Sequence, residues 1–128
     1  MRFRISVALA AIINTLAVSS ALGQGIANGE DVFKKCRVCH DVGPEAKNKI
    51  GPILHGVFGR RAGTAADFKY SDAMVDAGAK GLEWTDDTVA KYLENPRSFV
   101  PGNKMAFVGV KDEADRRDVI VYLRSVNP

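Results

Sequence analysis

Apolar positions fall into one nearly continuous run near the start of the chain and several spaced sets further on. Ile5 to Val18 is mostly apolar, interrupted at Asn14 and Thr15. The basic start Met1-Arg2-Phe3-Arg4 precedes it, and the small-residue stretch Ser19-Ser20-Ala21-Leu22-Gly23 follows. That order predicts a cleaved secretory leader over residues 1–23 and one domain over 24–128. The run is short for a bilayer span, so a retained membrane anchor fits less well. Ala21 and Gly23 place the cut after Gly23, with Ala21 or Ala27 as alternatives.

Beyond the leader the spacing is helical. A first helix is predicted from Asn28 as N-cap, with Glu30 and Asp31 in its first turn, through Val32 and Phe33 to Cys39. A short second helix covers Ser71 to Ala79 and stops before Gly81. The third has Thr85 as N-cap, Asp86 and Asp87 at its positive end, and Val89, Tyr92 and Leu93 at helical spacing, with Pro96 as its limit. The last starts at Asp112 and carries the stripe Val119, Tyr122, Leu123 and Val126. The stretch between the first two helices, rich in glycine and proline, is long for so small a domain unless it wraps something.

Charge narrows the partners. The 128-residue precursor carries a formal +3, and losing Arg2 and Arg4 with the leader leaves +1. Net charge therefore gives no support to nucleic-acid binding. Recognition by charge would need an uneven distribution.

The chemistry is concentrated in Cys36-Arg37-Val38-Cys39-His40, which holds both cysteines of the chain. A disulfide between them would close a very small loop and restrain the unfolded chain little. A thioredoxin-like pair would sit in a βαβ pattern, which is missing here. Structural zinc needs four ligands, and His55 is the only other histidine. Cys-x-x-Cys-His is instead the signature of covalent haem attachment. Two thioethers would fix the porphyrin edge, and His40 would reach the iron. A thiol–disulfide protein is the distant alternative.

The second axial position has His55, Met74 and Met105 as candidates. Met74 lies in a short helical pattern that favours packing, and His55 reads as a surface residue. Met105 lies in Val100 to Phe107, where Pro101, Gly102 and Asn103 favour a loop able to present a thioether. Methionine sulfur favours ferrous iron and raises the potential. Met105 is the expected ligand. A small haem peroxidase would need an open iron position, which a closed His40–Met105 pair argues against.

The run of motifs resembles class I cytochrome c, of the soluble bacterial type similar to mitochondrial cytochrome c. It includes "GPILHGVFGRRAGT", "FKYSDA", Trp84, "YLENPRSFVPGNKMAF" and "DVIVYLRS", in family order from Gly29 to Leu123. The resemblance implies an all-α fold, with helices and loops wrapped around one haem c bound through Cys36 and Cys39. It implies His40 and Met105 as iron ligands and Pro52 as the carbonyl that orients the imidazole. Arg60, Tyr70, Ser71 and Trp84 match positions that hold the haem propionates. Tyr92 and Asn103 match residues beside the methionine, with Asn103 replacing a usual threonine. Gly29, Phe33 and Tyr122 match the crossing of first and last helices. Met74 replaces an asparagine of the mitochondrial pattern, and Asn48 stands where a loop-bridging histidine is common.

By the same resemblance the chain would be a periplasmic one-electron carrier rather than an enzyme. It would be monomeric, would not insert stably into the membrane, and would shuttle between a membrane cytochrome bc complex and a terminal oxidase, photosynthetic reaction centre or other redox partner. Lys34, Lys35, Lys47, Lys49, Arg97, Lys104 and Lys111 flank the haem motif or the methionine loop and form the expected basic docking ring. Asp112, Glu113, Asp115 and Asp118 would lie at the back.

Overall fold

The computed structural model describes the backbone of residues 15–127, with side chains from Ala21 onward. The basic start and the first part of the predicted leader, residues 1–14, lie outside the described residues. The elements are α1 (Thr15–Arg37), α2 (Asp72–Ala79), α3 (Asp86–Glu94), α4 (Pro96–Phe99) and α5 (Glu113–Val126). Among the described residues the only β pairing is an isolated bridge between Arg61 and Glu83. No helix there is long and apolar enough to cross a membrane.

The first helix differs from its predicted start. Asn28 lies inside α1, and its amide donates to Asp115 Oδ1 (3.0 Å) and Asp118 Oδ2 (2.9 Å) on α5. Nothing between Thr15 and Ala27 breaks a helix: there is no proline, and Gly23 and Gly25 only weaken it. With helical backbone on both sides, the asparagine amide serves the neighbouring helix instead of capping. At the other end α1 stops at Arg37, with Lys34, Lys35 and Arg37 in its last turn facing the negative end of the dipole. The Cys36 carbonyl then accepts from both Cys39 N–H (3.0 Å) and His40 N–H (2.9 Å), curling the haem motif off the helix end.

The starts of α2, α3 and α5 fall within a residue of the predicted ones. Ser71 and Asp112 cap α2 and α5 by accepting from Met74 N–H and Asp115 N–H. Thr85 and Thr88 make a reciprocal capping box on α3. Pro96 ends α3, as predicted, but also opens α4, where its missing N–H is no loss; Asn95 caps this extra turn through Ser98 N–H.

α1 packs across α5 at Gly29. A β-carbon there would lie 2.0 Å from the Asp118 carbonyl oxygen, so only glycine allows the helices to approach this closely. Phe33 and Tyr122 stack alongside, ring centres 5.4 Å apart. They belong to a cluster with Val32, Val110, Val119 and Leu123. A second cluster gathers Val57, Ala62, Met74, Trp84, Val89, Val100 and Ile120 around α2, α3 and the long loop. Leu54, Phe58 and Leu93 pack against both clusters and are themselves only partly buried.

Candidate haem site

His40 is set by three neighbours in the loop that follows α1. Its Nδ1 lies 2.7 Å from the Pro52 carbonyl, and a carbonyl can only accept, so Nδ1 carries the proton. Nε2 therefore keeps its lone pair. Burial holds the ring's pKa below the ordinary histidine value, against the opposing pull of the Pro52 hydrogen bond. The ring is thus neutral, the form that binds metal. It lies against Gly51, where a β-carbon would come within 2.4 Å of His40 Cε1. Gly51 N–H donates to the Cys39 carbonyl (2.8 Å), tying this segment to the cysteine motif.

Burial pushes the Cys36 thiol up to about 11. A thiol used for exchange chemistry is activated by a lowered pKa, so this environment disfavours the thiol–disulfide alternative.

Met105 is carried by the loop after α4. Asn103 organises that loop: its Nδ2 donates to the Pro96 and Val100 carbonyls (both 2.9 Å), and its Oδ1 accepts Met105 N–H (2.9 Å). The Tyr92 hydroxyl, on α3, lies 3.3 Å from Asn103 Oδ1 and 3.8 Å from Met105 Sδ. Burial raises Tyr92 to about 12, so its hydroxyl stays protonated and remains a donor. The sulfur keeps a further lone pair. Lys104 straps the loop to the segment 68–69, its Nζ donating to the Lys69 carbonyl and lying 4.9 Å from the Phe68 ring centre.

The other predicted site residues lie on the long loop, at the cap of α2 and just before α3. Arg60 is half-buried and donates to the Ile53 (2.9 Å) and His55 (3.4 Å) carbonyls. Burial lowers its pKa, and it forms no ion pair among the described residues. Its charge is solvated by dipoles without being neutralised. The Tyr70 hydroxyl accepts Ala65 N–H (3.0 Å), and Ser71 Oγ accepts Met74 N–H (3.1 Å). Among the described residues each hydroxyl keeps its own proton free to donate. Trp84 is buried, its ring 5.1 Å from that of Tyr92.

His55 corrects a surface expectation. It is half-buried, and its Nδ1 is buried with no hydrogen-bond partner among the described residues. The adjacent Leu54 carbonyl accepts from Asn127 Nδ2 (3.0 Å), so the chain's end closes over this corner. Met74 is buried in the core, as its helical pattern implied. Sequence reasoning noted Asn48 only as a departure, whereas its amide bridges two loop segments. Nδ2 donates to the Ala66 carbonyl and Oδ1 accepts Ile53 N–H, both at 2.9 Å. Gly51 was missed, although a Gly-Pro pair ending in the imidazole-orienting proline was its visible signal.

The residues fit a covalently held haem. Cys36 lies in the last turn of α1 and Cys39 just beyond it, a neutral imidazole offers Nε2, and Leu54, Phe58 and Leu93 supply apolar side chains between the two clusters. Comparison with known proteins decides the family. Residues 26–127 match the family model for cytochrome c.

The chain belongs to the cytochrome c family.

It is similar to cytochrome c2 of Blastochloris viridis, 47% identical over 87% of this chain and 85% of that one. It is also similar to cytochrome c of Gibberella zeae, 48% identical over 80% of this chain and 94% of the relative. Among solved structures, cytochrome c2 from Rhodospirillum centenum superposes with a TM-score of 0.76, at 43% identity, covering 80% of this chain and 98% of that one. The similarity to both bacterial and fungal cytochromes agrees with the resemblance read from the motifs. Membership makes the chain an all-α c-type cytochrome, an electron-transfer protein whose haem c attaches through Cys36 and Cys39.

Proposed function

We propose that the chain is a soluble, monomeric periplasmic one-electron carrier whose haem iron is ligated by His40 and Met105. The haem supplies the redox couple; the chain's residues hold it, exclude water and set its potential. The observation that carries the ligation is the contact between His40 Nδ1 and the Pro52 carbonyl, which leaves Nε2 as the free donor. On the other loop, Asn103 and Tyr92 hold Met105 while leaving its sulfur a lone pair. Arg60, Tyr70, Ser71 and Trp84 would receive the propionates, since a buried carboxylate needs donors or a cation. Arg60 brings an unneutralised charge and the two hydroxyls bring free protons.

Removal of residues 1–23 would release the carrier on the exported side of the membrane. Its partners would be a membrane cytochrome bc complex on the donor side, and a terminal oxidase, photosynthetic reaction centre or other redox enzyme on the acceptor side. Of the proposed basic ring, only Lys34 has a carboxylate partner among the described residues, Asp31 at 2.8 Å. Lys49 and Lys111 donate to the carbonyls of Arg37 and Glu94, which positions their charge without cancelling it.

The first measurement is the visible and near-infrared spectrum of the mature protein in both redox states. The expected result is a low-spin c-type spectrum with a sulfur-to-iron charge-transfer band in the oxidised form. Met105→Ala should abolish that band and keep the haem. A wild-type spectrum without the band would overturn methionine ligation and bring forward His55 or an open peroxidase-like site.

A further inference from the structure

The contacts of α1 mark where the packed domain begins. Ile26 packs against the cluster that holds Phe33, Val119 and Tyr122. Gly25 also lies against α5, since a β-carbon there would come 3.3 Å from Asp118 Oδ1. On the leader side contact ends. A β-carbon at Gly23 would meet nothing within 4 Å among the described residues, and Leu22 is 56% exposed. A cut after Ala27 would strip Gly25 and Ile26 from the crossing, and a cut after Ala21 would leave exposed Leu22 as the first residue. The end of packing and the small pair Ala21 and Gly23 therefore point to the same bond, the one before Gln24.

We propose that Gln24, as the first residue of the mature chain, is a modification site that closes on itself to pyroglutamate. This rests on the leader removal proposed above. The unprotonated α-amine attacks the side-chain Cδ. A bond forms between them, the bond from Cδ to the side-chain nitrogen breaks, and that nitrogen leaves as ammonia with a proton from the amine. An ordinary α-amine has a pKa of about 8, so roughly a tenth of it is unprotonated at pH 7. Gln24 is exposed and stands beyond the last contact with α5, so its side chain is free to turn back on the amine. Electrostatics favour the product. Helical backbone runs through residue 24, so the cut puts the positive end of the helix dipole at Gln24, where an ammonium would add like charge. Glu30, the first acidic residue of the shortened helix, lies beyond its first turn. Asp118, beside Gly25, already accepts from Asn28 Nδ2 (2.9 Å) and has Arg117 Nε at 3.8 Å. The lactam removes the charge at this end of the helix, and it denies aminopeptidases a free amine at an exposed terminus.

The test reads the intact mass and the stepwise N-terminal sequence of the full-length gene product, exported by a bacterial host and purified with its haem. The expected mass is that of residues 24–128 with haem, less one ammonia. Sequencing should give no signal until pyroglutamyl aminopeptidase removes the first residue, and should then start at Gly25. Gln24→Asn, whose shorter side chain cannot close the ring, should keep its full mass and sequence directly from position 24. A wild-type chain that starts at Gln24 with full mass and a free amine overturns the proposal and leaves the leader reading standing. So does a wild-type block that the aminopeptidase does not lift, or an equal loss of ammonia in Gln24→Asn. A mature chain that starts at another residue, or keeps residues 1–23, overturns the leader reading and the proposal with it.

Discussion

At the scale of single residues, the proposed ligands are fixed at atoms other than the ones they would offer. His40 is held at Nδ1 and offers Nε2; Met105 is held through its backbone and one sulfur lone pair. The Tyr92 hydroxyl withdraws electron density from the sulfur, which favours ferrous iron in the proposed ligation. Tyr92→Phe should therefore lower the reduction potential by roughly 20–40 mV, a hydrogen bond of about 0.5–1 kcal/mol expressed for one electron. Potentiometric titration checks it, and a rise or no change would separate the hydroxyl from the iron. The sequence showed Asn103 as a polar neighbour of the sulfur. That one amide also holds Pro96 and Val100 depended on how the chain turns between α4 and Met105. His55 shows the opposite failure: nothing in its local sequence tells that Asn127 folds back onto the Leu54 carbonyl beside it.

Among elements, the α1–α5 crossing and the loop bridge at Asn48 position everything else. Gly29→Ala gains helix propensity but drives a methyl into the Asp118 carbonyl, and the helices would have to separate. It should cost about 3 kcal/mol and lower the melting temperature by more than about 10 °C, measured by thermal unfolding. The Asn48 amide does not titrate, so this bridge is indifferent to pH. Asn48→His should make it sensitive. A neutral imidazole can replace both bonds, but a protonated one has no lone pair for Ile53 N–H. The folded-state pKa of the new histidine would then fall below the unfolded value of about 6.5. Its stabilisation, about 1–2 kcal/mol, should be complete above that value and vanish as pH drops through the folded pKa. Denaturant unfolding of variant and wild type at several pH values shows the divergence. Helix starts were legible because the caps Ser71, Thr85 and Asp112 act within three residues of themselves. The Asn28 cap misled because its side chain had a better partner 87 residues away.

For the whole molecule, the partly buried residues shared by the two apolar clusters are, among the described residues, Leu54, Phe58 and Leu93. A domain this small buries little surface of its own, and a group bound only by the folded state adds stability directly. A Cys36→Ala/Cys39→Ala chain prepared without haem should lose its cooperative thermal transition and most of its helical circular dichroism. Retention of a sharp melt would show that the two clusters suffice.

The sequence by itself determined what depends on short spacing: the attachment motif, the capped helices, the apolar stripe of α5 and the family these compose. A cysteine pair two residues apart and a cap three residues from its N–H need no knowledge of the distant chain. Tertiary structure alone decided where the Asn28 amide goes, how Asn48 joins two loops and which apolar residues stay outside. Each of those depends on a partner brought close by the packing of helices and the path of a long loop, and residue order does not specify that distance locally.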